Sequence, residues 1–421
     1  MTRTGSYLLT LALGLAGSIS ATAENWPQWR GADSRSTAPA NPSYPTELNE
    51  KTLLWKVELP GKAPSTPIVW EDKIFVTSPD NGDDSVLAYD WEGKLLWQTT
   101  FGAERPGKHK NGSGSCPSPV TDGKHVVVYY KSGTLACLSA ADGAEIWKTN
   151  IQERFGADTL WWDLGTSPIL VDGKVVVAVM HSGDSYVAAF DVESGELAWK
   201  VDRTYKVKEE TDHSYTTPFL WDHNGKTEII IWGADHITAH DPATGKVTWF
   251  SGGFNPEDQK YWRVIASPGV GDGIIVVPYG RTKYTRAIKM GGEGDVTATA
   301  ELWNRDDIGA DCPSPIATDT SVYVATDKGE IACIDIKTGV DRWRDRFPKD
   351  APKYYSSPSM AGNLLYFARE DGVVMVAEAD EKGFKFLSEN ELERNISASP
   401  VPVNGKLLIR GAKNLYCFTK K

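Results

Sequence analysis

The chain has 421 residues, 40% hydrophobic and 24% charged, which gives ample material for a folded core. Fifty-six acidic side chains against 45 basic ones leave a net charge of −11, which argues against a nucleic-acid binder held by phosphate contacts. Sixteen Trp, 39 Gly and 24 Pro beside five Met point to many short strands joined by tight turns.

Residues 1–23 read as a secretory signal peptide. Arg3 supplies the positive start, and Leu8, Leu9, Leu11, Ala12, Leu13 and Leu15 form a short apolar stretch. Ala21-Thr22-Ala23 is a small-x-small cleavage site before Glu24. The stretch is too short to span a hydrocarbon core of ~30 Å, and no later segment is long and apolar enough to do so. The first cysteine is Cys116, so no lipid-anchor Cys follows the cleavage site. The expected location is periplasmic or secreted, in a bacterium. Residues 24–52, rich in Pro, Ser and Ala, read as an N-terminal extension that wraps over a face without regular structure. Trp26 and Trp29 are expected to dock on the fold or on a neighbouring molecule.

Residues 53–421 repeat one unit. A Ser/Thr-Pro pair precedes a short apolar strand eight times, with prolines at 67, 119, 168, 218, 268, 315, 358 and 400. After each come turns and strands, giving four strands in about 45 residues, the pattern of a propeller blade. The third turn is the most regular. Ala189, Asp191, Gly195 and Trp199 set a register that returns at Ala239, Asp241, Gly245 and Trp249 and at Cys333, Asp335, Gly339 and Trp343. Cys137, Gly143 and Trp147 keep it with Ser139 in the Asp place, and Ala88, Asp90, Gly93 and Trp97 shorten it by one. The fifth copy keeps Trp303 but loses the rest around Gly291 and Gly292. The seventh has Phe386 and Leu387 where Trp would fall. The small residue admits a ring, Asp bonds its own turn, Gly takes a positive φ, and Trp covers apolar surface between blades. The last copy stops after its third strand, and Leu53-Leu54-Trp55-Lys56 is an orphan outer strand that can complete it. The expected fold is all-β: one eight-bladed β-propeller of four-stranded antiparallel blades over 53–421, closed by that N-terminal strand.

The motif Ala-x-Asp-x-x-x-Gly-x-x-x-Trp resembles the pyrroloquinoline-quinone (PQQ) repeat, over about residues 53 to 419. The resemblance implies an eight-bladed propeller with two functional branches. One comprises PQQ-dependent dehydrogenases, which need a Ca²⁺ beside the quinone held by Glu, Asn and Asp, many with a disulfide between adjacent cysteines. The other is non-catalytic and BamB-like. This chain has no adjacent Cys pair, is short for the enzymes, and its repeat Asp residues are assigned to turns. No cofactor and no metal ligand are therefore expected, with PQQ and Ca²⁺ as the alternative.

Cys116 and Cys137 are 21 apart, as are Cys312 and Cys333. An oxidising compartment invites two bridges. Strands two apart lie about 9.5 Å from each other, beyond the ~7 Å a disulfide allows. Their state stays open from sequence. Cys137, Cys333 and Cys417 take the small-residue position of the motif.

The connections ahead of each Ser/Thr-Pro pair should meet near the axis on one face. They carry Trp161, Trp162 and Asp163; His213 and Tyr215; Tyr261, Trp262 and Arg263; Tyr354 and Tyr355; with His109, Lys110, Asn111, Asp212, Asp311 and Asn395 beside them. This is the expected binding face, suited to a protein or peptide partner and also to a glycan. The competing reading is that these rings plug the funnel. Asp212 and His213, adjacent on a strand, point to opposite faces and make a poor acid–base pair. No catalytic residue is assigned. The expected function is an exported binding scaffold, BamB-like in envelope protein assembly. Alternatives are a PQQ-dependent oxidoreductase of alcohols or sugars and a carbohydrate-binding or lyase propeller.

Overall fold

The computed structural model describes residues 24–420, so the signal-peptide reading lies outside the described residues. Each repeat forms one sheet, and eight sheets result. In blade 1 the strands run Ile68–Trp70, Lys73–Asp80, Asp83–Tyr89 and Leu95–Ala103 from the axis outward. In blade 3 they run Ile169–Val171, Lys174–Val179, Tyr186–Asp191 and Leu197–Asp202. The two middle strands of each blade are covered on both faces by neighbouring blades. They therefore read as runs of Val, Ile and Ala rather than as alternating patterns. Blade 8 is composite, as expected: Leu53–Glu58 pairs antiparallel with Asn414–Phe418.

The Ser/Thr-Pro pairs account for closure at the axis. The backbone N–H of each Ser or Thr donates to the hydroxyl of its counterpart in the next blade. Thr66 donates to Ser118 at 2.9 Å, Ser118 to Ser167 at 2.9 Å and Ser167 to Thr217 at 3.0 Å. Thr217 donates to Ser267 at 3.1 Å, Ser267 to Ser314 at 2.9 Å and Ser314 to Ser357 at 3.0 Å. Ser357 donates to Ser399 at 3.3 Å, and Ser399 returns to Thr66 at 3.1 Å. The bonds form a closed ring in a buried setting, and only a short hydroxyl side chain can accept there. That requirement explains Ser or Thr at all eight positions.

The repeat's small residue stands directly across the strand pair from its Trp: Ala189 faces Trp199, Cys137 faces Trp147, Cys333 faces Trp343 and Cys417 faces Trp55. The indole then lies on the Gly turn of the next blade. A methyl group on Gly195 would come within 2.6 Å of Trp147, and one on Gly339 within 2.7 Å of Trp303. The Trp Nε1–H donates to a carbonyl of that turn, three residues ahead of its glycine: Trp147 to Val192 at 2.8 Å, Trp199 to Pro242 at 2.9 Å, Trp303 to Ile336 at 2.9 Å and Trp343 to Asp380 at 2.7 Å. Trp55 and Trp97 also donate to turn carbonyls, those of Trp91 and Ala140.

Trp249 departs from this pattern because blade 5 has lost the turn. A short strand Gly294–Asp295 and a helix Thr297–Ala300 stand in its place, and the strand pairs parallel with the edge at Trp249. The Trp249 Nε1–H turns to Glu228 at 3.0 Å. Burial alone would raise the Glu228 pKa, but Lys226, Thr248, Trp249 and His223 outweigh it and hold the carboxylate down at about 2. In blade 7, Phe386 occupies the Trp register opposite Ala377.

The N-terminal extension is irregular for most of its length, as expected, but it does more than wrap over a face. It enters the axis from the lower face, the side of the first-to-second strand turns. Trp26 pairs with Val69 of blade 1, and Pro27 O accepts from Thr121 N of blade 2. Thr37–Ala38 adds a parallel strand to the innermost strand of blade 7. Trp26 docks into its own molecule and is 2% exposed. Arg30 is buried beside the ring: its guanidinium donates to Pro268 O at 2.5 Å and to Pro315 O, and its Nε to Ser36 Oγ at 3.0 Å. Burial lowers its pKa to about 10. All five cysteines are free thiols.

Candidate functional site

The connections that lead into the innermost strands meet on the upper face, opposite the extension. Two sets of rings rim the mouth. Trp161 stands edge-on to His213, with ring centres 5.6 Å apart, and beside Tyr261 at 6.2 Å. His109 meets Trp162 at 6.0 Å and Tyr355 at 5.6 Å, both edge-on, so this group joins the entries to blades 2, 3 and 7. Trp161, Trp162 and Tyr261 are each 43% exposed, high for rings of their size.

The other expected face residues build the platform beneath. His213 is buried rather than at the surface, its Nε2 3.0 Å from Ser182 Oγ. Burial lowers its pKa and so disfavours the charged ring. Its Nε2 is 3.7 Å from Asp212, consistent with the poor pairing read from sequence. Tyr215 is buried, and its hydroxyl accepts from Trp162 N at 3.3 Å. Trp262 packs against the stacked pair Tyr279 and Tyr284. Arg263 is paired with Glu210 at 3.6 Å and Asp311 at 3.4 Å. Tyr354 lies in the core, stacked 4.1 Å from Phe367, while its neighbour Tyr355 reaches the rim.

Asp163 acts as an anchor. It accepts from Lys131 Nζ at 2.5 Å, from Lys108 N at 2.7 Å and from His109 N at 2.9 Å, with both side chains of the ion pair buried. Sequence reasoning missed its partner, because nothing in the order of residues links Lys131, just past the second strand of blade 2, with the loop entering blade 3. It also missed Glu370. That carboxylate sits in a turn of blade 7 and takes Lys110 Nζ at 2.8 Å and Asn111 Nδ2 at 3.2 Å. The loop over residues 104–115 is thereby tied across the mouth.

These contacts bear on how the mouth would fit a quinone-bound Ca²⁺. Its carboxylates Asp163, Glu370 and Asp311 are engaged by Lys131, Lys110 and Arg263. Among the described residues no three His, Cys, Asp or Glu side chains converge. Asn111 does lie against Glu370, but that carboxylate already holds Lys110.

A family model described as outer membrane protein assembly factor BamB matches residues 82–343 and 233–419. The chain belongs to this family of PQQ-like propellers. An outer membrane protein assembly factor BamB from Yersinia pestis is 25% identical over 159 residues, 37% of this chain and 38% of that protein. A polyvinylalcohol dehydrogenase from a Pseudomonas species is 21% identical over 274 residues, 55% of this chain and 40% of the dehydrogenase. The chain thus spans about two fifths of each curated relative. Among solved structures, BamB from Moraxella catarrhalis aligns with a TM-score of 0.61 at 16% identity, covering 88% of this chain and 97% of that one. A quinohemoprotein alcohol dehydrogenase from Pseudomonas putida aligns at 0.69 and 14% identity, covering 94% and 80%. At these identities the structures share the fold alone. Among the described residues no helix is long and apolar enough to cross a membrane.

Proposed function

We propose that this BamB-like propeller is a non-catalytic scaffold of the bacterial periplasm that docks a polypeptide across its upper mouth. The observation that carries the reading is the pair Trp161 and Trp162. Both are half-exposed, yet both are fixed from beneath by buried or anchored groups: His213 under Trp161, Tyr215 and His109 against Trp162. Rigid aromatic anchors of this kind dominate protein interfaces, since little side-chain entropy is lost on contact. The family's assembly-factor description supports a role in outer-membrane protein assembly. The test places a photo-crosslinking side chain at position 261, beside Trp161 on the rim, in the native host. Adducts with outer-membrane barrel chains or their assembly machinery are expected, and W162A should weaken them about tenfold or more. Crosslinks that W162A leaves unchanged would remove the reading.

A second reading is kept by the polyvinylalcohol dehydrogenase similarity. Under it the protein oxidises an alcohol with PQQ and Ca²⁺. Dye reduction by the purified protein after incubation with both would establish it and displace the scaffold.

A further inference from the structure

Between blades 1 and 2, four polar side chains each keep one buried oxygen without a hydrogen-bond partner. Asp84 lies near the start of the third strand of blade 1, and Glu104 follows its outer strand. Ser115 lies in the connection to blade 2, and Tyr130 follows the second strand of that blade. Asp84, Ser115 and Tyr130 are buried. The Asp84 Oδ1, Glu104 Oε2, Ser115 Oγ and Tyr130 hydroxyl oxygens are shut off from solvent, and none finds a hydrogen-bond partner. Gly114 shows that the carboxylates share one spot. A methyl group there would lie 2.8 Å from Arg105 O, 3.2 Å from Glu104 Oε2 and 3.4 Å from Asp84 Oδ1. The Ser115 side chain lies close enough to Asp84 to favour its charged form, and the Asp84 charge helps to raise the pKa of the Tyr130 hydroxyl. The second Asp84 oxygen is already taken by Ser132 Oγ at 2.6 Å.

Nothing basic balances the two carboxylates. The Arg105 guanidinium turns to Gln152 and Asp158, and Lys131 belongs to Asp163. Among the described residues no Lys, Arg or His forms an ion pair with Asp84 or Glu104. A buried carboxylate such as Asp84, without a counter-charge and facing a second carboxylate oxygen shut off from water, is strongly unfavourable. A donor set made wholly of oxygen, with neither imidazole nor thiol, is the chemistry of a hard cation.

We propose that this cleft binds a divalent cation of the Ca²⁺ class. Asp84 Oδ1, Glu104 Oε2, the Arg105 carbonyl and the Ser115 hydroxyl are its ligands, and the Tyr130 hydroxyl bonds a water that completes the shell. The site lies between two blades and not on the axis, so it is independent of any quinone. It goes beyond the docking function, but it pins the loop that carries His109 to the rim.

The test uses the full chain after removal of metal with a chelator. Tb³⁺ is titrated with excitation of tyrosine and tryptophan, then displaced with Ca²⁺, and thermal midpoints are read with and without Ca²⁺. One sensitised Tb³⁺ per chain, displaced by Ca²⁺, and a higher midpoint in Ca²⁺ are expected. Glu104→Gln should weaken binding about tenfold or more. Tyr130→Phe should dim the luminescence while binding persists, and Glu257→Gln on the far rim should change neither. Absence of stoichiometric binding, or binding that Glu104→Gln leaves intact, overturns the proposal and leaves the space to water and a protonated carboxyl. Asp84→Asn serves as a second variant. Should it fail to fold, the half-buried Glu104 still decides.

Discussion

Gly195 and Gly173 share a backbone conformation but differ in surroundings, and that difference isolates what docks one blade on the next. Their φ values are +72° and +69°, so an alanine at either meets the same left-handed strain, about 1 kcal/mol. At Gly173 the new methyl group meets nothing within 4 Å. At Gly195 it lies 2.6 Å from Trp147 Cδ2, about 1 Å inside ordinary carbon contact. Trp147 must slide outward, at roughly 1–3 kcal/mol for overpacking. The shift also stretches its 2.8 Å bond to Val192 O, which contributes about 1 kcal/mol. Gly195→Ala should therefore cost about 3–5 kcal/mol against about 1 kcal/mol for Gly173→Ala. Urea unfolding followed by far-UV circular dichroism, with both variants beside the parent, measures the gap. Equal losses would show that the indole on the glycine turn adds nothing to blade docking and would refute the account of the motif.

Ser118→Ala removes the acceptor of the buried Thr66 N–H and should cost about 1–3 kcal/mol, with faster amide exchange at Thr66 as the specific readout. Lys131→Met strands a buried Asp163 carboxylate and should cost about 3–5 kcal/mol in chemical denaturation; a near-neutral result would mean that water reaches the pair. Glu228 has a folded-state pKa of about 2, below its ordinary 4.5, so its contribution is complete above pH 4.5 and is lost as pH falls toward 2. The parent should lose stability over that window more steeply than Glu228→Gln, and parallel curves would contradict the assignment. Trp161→Ala should abolish partner crosslinking while moving the thermal midpoint little, because the side chain is half-exposed.

The circle was legible because its parts recur. Eight Ser/Thr-Pro pairs and seven Trp residues gave blade count, strand order and the closing strand at Leu53–Glu58. The reason for Ser or Thr was not legible, since each hydroxyl serves a residue some 50 positions away. Trp249 kept its place in the motif but took a new partner, Glu228, once blade 5 replaced its turn with an insertion. The candidate site was half legible. Composition identified the aromatic connections, and the rings at Trp161, Trp162 and Tyr261 do rim the mouth. It could not tell these from Tyr354, Tyr215 and His213, because burial depends on what covers a residue from another blade. Asp163 looked like a free carboxylate until Lys131 supplied its counter-charge. Arg30 read as part of an irregular tail, although its guanidinium finds carbonyls 238 and 285 residues away.

The position of that arginine turns a ring into a vessel with one opening. The segment around it grips blades on opposite sides of the hub, so the lower doorway is stoppered by the protein's own chain. A polypeptide passing through the hub would have to displace that segment and break its bonds to Pro268 and Pro315. A captured strand would be held as a loop or an end and handed back on the side from which it came, which suits a station that steadies clients better than one that conveys them.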